Sequence, residues 1–233
     1  MKTTVTGFRG YLGQRVFFKL KMLGLNPVGV DWGDKVSQSD VIVHLAARMD
    51  DTPEMLANNV GITLEVVKNA DRIVFTSSAA VYGDYPKEVK IKETDKLNPV
   101  GLYGHTKRFE EMMIREFVEN YSILRLANVY SHDATHGVVA LLLKGDRVLY
   151  DKGAKTRDYV LVDDVVDVIV EAVLTKKWQG IYNIGTGKAT SSLELFKRLC
   201  PDKKPIFKMK NEITHNCLDI TKAEKNGFRP FRI

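Results

Sequence analysis

The 233-residue sequence contains few cysteines and no long apolar segment. Two cysteines, Cys200 and Cys217, are too few for a disulfide framework, which favours a reducing compartment. No apolar run reaches the roughly 18 residues that a membrane-spanning helix requires. The first ten residues also lack the apolar core of a secretory signal. We therefore expect a cytoplasmic protein that has no membrane partner.

Histidine is scarce as well, with five residues in the chain. Four of them, His105, His132, His136 and His215, show none of the spacings that are typical of metal ligands. The fifth, His44, ends an apolar segment and is interpreted as a structural residue. The sequence therefore predicts no metal site.

Dense runs of basic residues are also absent, although the formal net charge is +6. Residues 201–233 hold eight basic and four acidic residues, yet the longest basic run there is Lys203-Lys204. Proteins that bind nucleic acid usually concentrate their basic residues more strongly. We therefore expect no nucleic-acid partner and interpret the excess as suited to small anionic ligands.

The first 130 residues alternate short β-branched segments with longer helical ones. The strands are predicted at residues 3–5, 28–30, 41–43, 72–76 and 123–126, and the helices at residues 11–23, from about 52 onward, and at 103–120. Such alternation is typical of right-handed βαβ units around a parallel sheet. The fold class is therefore predicted to be α/β, with a parallel sheet flanked by helices.

A glycine-rich turn follows the first strand. Gly7, Gly10 and Gly13 lie between that strand and the first helix, where backbone N–H groups can meet a pyrophosphate. Asp31 ends the second strand, at about the offset expected for an acid that binds the adenosine ribose. These features predict a dinucleotide site. Asp31 favours NAD, whereas Arg9 in the turn leaves NADP open because it can pair with a 2′-phosphate.

A tyrosine and a lysine lie four residues apart at the start of a later helix. The spacing puts Tyr103 and Lys107 on one helix face, where the ammonium group can stabilise a phenolate. Ser78 ends the intervening strand at the edge of the sheet where ligands bind, and Thr76 precedes it. These residues are candidates for moving a proton to or from a substrate hydroxyl.

Motifs along nearly the whole chain resemble those of one family. They are Thr6–Gly13, His44–Ala47, Asn59-Val60, Ser77–Gly83, Tyr103–Lys107, Leu124–Tyr130, Arg157–Val166, Tyr182–Gly187 and Asp219–Ala223. In this order they resemble the extended short-chain dehydrogenase/reductase family, in its NAD-dependent epimerase/dehydratase branch acting on nucleotide sugars. The resemblance implies a Rossmann-type fold related to UDP-galactose 4-epimerases, here with a small, reduced C-terminal substrate lobe.

The resemblance also implies roles for individual residues. The implied catalytic residues are Ser78, Tyr103 and Lys107. The implied cofactor-binding residues are Gly7, Arg9, Gly10, Tyr11, Leu12, Asp31, Leu45, Ala46, Ala47, Asn59, Thr76, Tyr103 and Lys107. Those implied for a nucleotide-sugar substrate are Ser78, Asn128 and Arg157. The implied cofactor is NAD, with NADP still open.

Three functions remain open. The leading one is a nucleotide-sugar epimerase that keeps NAD bound while a keto sugar forms and is reduced. The others are an NAD(P)H-dependent reductase of a nucleotide-linked keto sugar and a non-catalytic dinucleotide-binding or sensing protein. A dehydratase is disfavoured because Ala79 and Ala80 stand where dehydratases of this family carry an acidic pair.

The same resemblance suggests how the chain is divided and assembled. Residues 1–130 with 158–185 are predicted to form the dinucleotide-binding domain, and 131–157 with 186–233 the small substrate lobe. Residues 31–40 are shorter than the family's usual strand and helix at this point, with Asp34 as a remnant. Because the helix with Tyr103 forms dimer contacts in related enzymes, a homodimer is expected.

Overall fold

The computed structural model describes residues 1–86, 89–131, 133, 137–209 and 215–231. Within these ranges the strands are β1 Thr3–Thr6, β2 Val28–Val30, β3 Val41–His44, β4 Arg72–Ser78, β5 Asn120–Leu126, β6 Asn128–Tyr130, β7 Val148–Tyr150, β8 Thr156–Leu161, β9 Gly180–Ile184, β10 Ala189–Ser191, β11 Ile206–Lys208 and β12 His215–Asn216. The helices are α1 Tyr11–Met22, α2 Pro53–Asn69, α3 Leu102–Phe117, α4 Val138–Leu143, α5 Val162–Leu174, α6 Ser192–Leu199 and α7 Thr221–Lys225.

Six strands form a parallel sheet in the order β2-β1-β3-β4-β5-β9. The order reverses at β1, since the chain first moves outward to β2 and then returns to β3. Open α/β sheets bind ligands at the carboxyl ends of the strands beside such a reversal. The predicted α/β class and the Rossmann-type parallel sheet are confirmed.

Helices cover both faces of this sheet. Val41 and Val43 of β3 pack into the cluster that includes α1 and α5, whereas Ile42 packs into the cluster that includes α2 and α3. Alternate residues of one strand thus enter opposite layers, as the two-residue period of a strand requires. No helix among the described residues is long and apolar enough to cross a membrane.

The connection from β2 to β3 is short. Residues 31–40 contain no helix and cross β1 in a loop whose Val36 is buried against the α2–α3 cluster. Ser39 forms an isolated bridge with Ala70 at the end of α2. The connection is thus as short as the sequence indicates. It adds no further strand beyond β2, and β2 therefore forms one edge of the sheet.

A smaller assembly is built beside the main sheet. Strand β8 pairs with β6, β10 and β12, and a separate apolar cluster joins α4, α6, β7 and β8. The division of the chain into two domains stays a prediction. That prediction assigns β6 and most of β8 to the dinucleotide-binding domain, although both strands lie in the smaller sheet.

The C-terminal part of the chain returns to the core. The N–H of Ile91 donates to the Cys217 carbonyl at 2.8 Å, and the N–H of Asp219 donates to the Ile91 carbonyl at 2.8 Å. The buried carboxylate of Asp158 accepts from the N–H groups of Thr186 and Leu218, at 2.8 and 3.4 Å. These contacts join segments that lie far apart in the sequence.

Candidate active site

The turn between β1 and α1 is closed by glycines that have no room for a side chain. A Cβ at Gly13 would lie 2.0 Å from the Gly7 carbonyl oxygen. A Cβ at Gly7, whose φ is +67°, would lie 2.8 Å from Cα of Ala46. The turn therefore lies directly against the loop after β3. This close approach of backbone to backbone is what the glycine motif predicts.

The first turn of α1 is open to an anion. Gly10 is its N-cap and supplies no side-chain hydrogen bond, so the first N–H groups remain available to a ligand. Leu12 is half-buried against the core, while the Tyr11 hydroxyl donates to Ser131 after β6. The uncapped helix end and the crowded glycines fit a dinucleotide pyrophosphate.

Asp31 lies beside this turn at the end of β2. Its carboxylate accepts a hydrogen bond from the N–H of Arg9 at 3.1 Å, and the Arg9 guanidinium lies 4.0 Å away. The N–H of Asp31 donates to Asp34 at 2.9 Å, which fixes the loop after β2. Asp31 and Arg9, the residues that favour different cofactors, are thus neighbours.

The loop after β3 is supported from α2. Both polar atoms of the Asn59 carboxamide hydrogen-bond the backbone of Arg48, with distances of 2.9 and 3.1 Å. Leu45 and Ala46 donate backbone N–H groups to the Thr6 hydroxyl, each at 3.3 Å, and Ala47 follows them. Asn59 therefore stabilises this loop, and its contact with a cofactor stays a prediction.

Strand β4 ends at the same edge of the sheet. The Thr76 hydroxyl donates to the His44 carbonyl at 3.4 Å, which ties β4 to β3. The Ser78 hydroxyl accepts from the N–H of Ala80 at 3.1 Å and caps a single 3-10 turn. The local turn thus holds Ser78 at the carboxyl end of the strand.

Helix α3 brings Tyr103 and Lys107 to this edge. Gly104 allows close packing, since a Cβ there would lie 2.7 Å from the Ala80 carbonyl oxygen. Asp51, in the loop after β3, accepts a hydrogen bond from the N–H of Tyr103 at 3.0 Å. The structure therefore brings Ser78, Tyr103 and Lys107 together, beside the glycine turn.

The electrostatic surroundings of Tyr103 act in opposite directions. Burial raises the pKa of its phenol, whereas the Lys107 ammonium and a hydrogen bond with Ser78 lower it. Lys107 is itself buried and forms an ion pair with Glu110 at 3.1 Å. The acid–base behaviour of Tyr103 thus depends on how strongly Lys107 is neutralised.

Two of the three residues predicted for the substrate, Asn128 and Arg157, line one cavity of about 410 Å³ in the smaller assembly, whereas Ser78 does not belong to its lining. Asn128 donates to the Asp158 carbonyl at 3.2 Å, and Arg157 donates to the Thr156 carbonyl at 2.9 Å. Val138, Leu142 and Tyr159 are among the apolar and aromatic residues of its lining. The cavity thus combines an apolar wall with charged side chains of both signs, Arg157 and Asp146 among them.

Sequence reasoning missed two charged residues. Lys155 lines the same cavity and pairs with Asp151 at 2.5 Å. It directly precedes β8, two residues before Arg157, and this spacing was an available signal. Glu110 falls on the buried face of α3 with Lys107 and Ile114. A carboxylate at an inward position was the signal there.

The described part of the chain contains no group of three or more histidine, cysteine or acidic residues that could hold a metal. His132 and His136 lie outside the described residues. Phe109, Met112 and Phe117 are exposed on α3, whereas Met113 is buried.

The chain belongs to the NAD dependent epimerase/dehydratase family, whose sequence profile matches residues 30–185. The family resemblance inferred from the motifs is therefore confirmed, and the protein is an enzyme of this NAD-dependent family.

Individual relatives are similar over most of their length. The UDP-glucose 4-epimerase of Mycolicibacterium smegmatis is 29% identical, over 99% of this chain and 94% of the relative. The ADP-L-glycero-D-manno-heptose-6-epimerase of Fusobacterium nucleatum is 26% identical, over 82% and 76%. The crystal structure of Thermotoga maritima UDP-glucose 4-epimerase with UDP-glucose superposes with a TM-score of 0.84, at 26% identity, over 99% of this chain and 94% of that one.

Proposed function

We propose that the chain is an NAD-dependent nucleotide-sugar epimerase, which oxidises one sugar carbon to a ketone and then reduces it from the opposite face. The observation that carries the proposal is the meeting of Ser78, Tyr103 and Lys107 beside the glycine turn, at the reversal point of the sheet. Membership of an NAD-dependent family supports the cofactor.

The three side chains have complementary tasks. Tyr103, as a phenolate, accepts the proton of the sugar hydroxyl and later returns it, so that no net proton is consumed. Ser78 hydrogen-bonds that hydroxyl and the ketone oxygen that develops from it. The Lys107 ammonium favours the phenolate. Bound NAD supplies the hydride acceptor in the first half of the reaction and the donor in the second.

The second sheet and its cavity are proposed as the substrate lobe. Arg157 and Lys155 would bind a diphosphate, for which the planar guanidinium of arginine is well suited. Asn128 would bind the same region from β6. Relatives named UDP-glucose 4-epimerase support a uridine diphosphate sugar as the first substrate to test.

The experiment begins with the purified protein. NAD released on denaturation is measured first, and the protein is then incubated with UDP-glucose carrying deuterium at the reacting carbon. An epimerase yields the isomeric sugar with deuterium retained, since hydride returns from bound cofactor. Tyr103→Phe should lower turnover at least about 100-fold. Stoichiometric consumption of NADPH on a nucleotide-linked keto sugar, without isomerisation of UDP-glucose, would instead identify a reductase. Tight NAD binding without turnover on either sugar would identify a sensing protein.

A homodimer is part of the proposal. Phe109, Met112 and Phe117 expose apolar surface on α3, the helix that carries Tyr103. Light scattering after gel filtration should give about twice the 26.3 kDa chain mass. Met112→Glu should yield monomers, and a monomeric unsubstituted protein would reject this assembly.

A further inference from the structure

A buried carboxyl group lies behind the proposed catalytic residues. Glu110 is fully buried on α3, with Oε2 3.1 Å from Nζ of Lys107 and Oε1 2.9 Å from the Thr63 hydroxyl. Burying a carboxyl group is costly unless other groups compensate for the lost water. Its partners must therefore be arranged to hold it.

These partners continue as a chain of hydrogen bonds to the cofactor-binding turn. The Thr63 hydroxyl lies 2.9 Å from Nε2 of His44, and Nδ1 of His44 lies 2.8 Å from the Thr6 hydroxyl. Thr6, His44 and Thr63 are all buried, and Thr6 directly precedes Gly7. The chain therefore connects α3, α2, β3 and β1.

The proton positions along the first part of this chain follow from its partners. The Thr6 hydroxyl accepts from the N–H groups of Leu45 and Ala46, so its own proton points to Nδ1 of His44. Burial lowers the pKa of His44 to about 3, and the ring is neutral. Its remaining proton is on Nε2 and is donated to Thr63.

The hydrogen bond between Thr63 and Glu110 can run in either direction. The Thr63 hydroxyl has one proton and two acceptors within 2.9 Å, the Asn59 carbonyl and Oε1 of Glu110. If Glu110 is ionised, Thr63 donates to it. If Glu110 is protonated, it donates to Thr63, and Thr63 turns its proton to Asn59. The chain therefore accommodates both protonation states of Glu110 without moving a heavy atom.

We propose that Glu110 is a positioning residue of the reaction: its carboxyl group is the counter-charge that holds Lys107 and limits how much of the ammonium charge reaches Tyr103. This proposal rests on the proposed function, in which Tyr103 is the base. Glu110 acts only through Lys107.

The consequence concerns the pKa of the Tyr103 phenol. Burial raises this pKa, the Lys107 ammonium lowers it, and the Glu110 carboxylate raises it again. Burial also raises the pKa of Glu110, while Lys107 and Thr63 oppose that rise. The groups around the Lys107–Glu110 pair are Glu111 and Tyr103 on α3, Thr63 on α2, His44 on β3 and Phe75 on β4, whose ring lies 4.5 Å from Nζ of Lys107.

The test measures this pKa without cofactor or substrate. Tyrosine labelled with ¹³C at Cζ is titrated by NMR, and the Tyr103 signal is assigned by its loss in Tyr103→Phe. Glu110→Gln should lower the Tyr103 midpoint by about one pH unit, since the ammonium is no longer neutralised. Glu110→Asp keeps the charge and should stay within about 0.3 pH unit of the unsubstituted protein.

A second variant keeps the Glu110 side chain and removes one of its hydrogen-bond partners. Thr63→Val removes the hydrogen bond that stabilises the ionised carboxylate, so the Tyr103 midpoint should fall, but by less than in Glu110→Gln. An unchanged Tyr103 midpoint in either folded variant, with only thermal stability altered, would overturn the proposal. Because no turnover is measured, this result is independent of the epimerase assay.

Discussion

Gly13 and Gly7 approach each other so closely that a single added carbon on Gly13 would lie 2.0 Å from the Gly7 carbonyl oxygen. Gly13 lies inside α1, where alanine would otherwise be the better helix former. The packing of the helix against the turn therefore outweighs helix propensity at this position.

Gly13→Ala should weaken NAD binding at least about tenfold and destabilise the fold by about 1–3 kcal/mol, because the turn must shift to admit the methyl group. Gly61→Ala is the matched control, since Gly61 lies in α2 with open space around it. This control should be neutral or stabilising by up to about 1 kcal/mol. Calorimetric titration and urea unfolding measure both effects, and equal losses in the two variants would contradict the packing argument.

Cofactor choice should depend on Asp31. Its carboxylate would repel a 2′-phosphate, and removing it in Asp31→Ser should weaken NAD binding about tenfold while strengthening NADP binding. Arg9 lies 4.0 Å from Asp31 and is exposed, so it is available to a phosphate. Adding Arg9→Ala should cancel the gain for NADP. If NADP binding does not improve in Asp31→Ser, Asp31 does not set the preference.

The buried pair of Glu111 and Arg125 should contribute strongly to stability. Arg125 donates to both carboxylate oxygens, at 2.9 and 2.7 Å, and both residues are 2% exposed. Glu111→Gln should lower the free energy of unfolding by about 3–5 kcal/mol, because it leaves a buried guanidinium without its counter-charge. The exposed Glu65, 3.3 Å from Lys68, is the control, and Glu65→Gln should cost at most about 1 kcal/mol. Similar losses at both positions would be incompatible with this explanation.

His44 should make stability depend on pH. Its pKa falls from 6.5 to about 3 on folding, because burial and the nearby Lys107 disfavour the charged ring. The unfolded chain therefore binds more protons between these values. The contribution is complete above pH 6.5 and is lost as the pH falls toward 3, at up to about 1.4 kcal/mol per unit.

Urea unfolding between pH 4.5 and 7.5 measures this effect. His44→Asn should flatten the dependence of the unfolding free energy on pH relative to the unsubstituted protein. His105→Asn, on the exposed side of α3, should give a parallel profile. Identical slopes for His44→Asn and the unsubstituted protein would show that folding does not lower the pKa of the His44 ring.

The sequence predicted the main sheet well, since β-branched segments and helical periodicity alternate clearly before residue 130. The end of α3 was less accurate. The helix was predicted to continue to Asn120, but it ends at Phe117, and β5 already begins at Asn120. Val118 is the C-cap and has an extended backbone, which leads the chain to Asn120, the first residue of β5 to pair with β4.

The smaller assembly was harder to predict. Strands β6, β10 and β12 have two or three residues each, and they pair with β8 through contacts that no local pattern reveals. The candidate site was likewise only partly predictable from the sequence. Glycine spacing and the Tyr103–Lys107 spacing are local signals, whereas the contact of Glu110 with Thr63 joins two helices and needs the fold to be seen.

The return of the C-terminal segment has a consequence for how the chain acquires its structure. Ile91 pairs with residues beyond 216, and Asp158 bonds Leu218, so these contacts close loops of about 60 to 130 residues. Such closures cost chain entropy before any contact compensates for it, and they slow folding. During synthesis, the first half of the sheet can form early, but Ile91 and Asp158 gain these partners only after residues 217–219 have emerged from the ribosome.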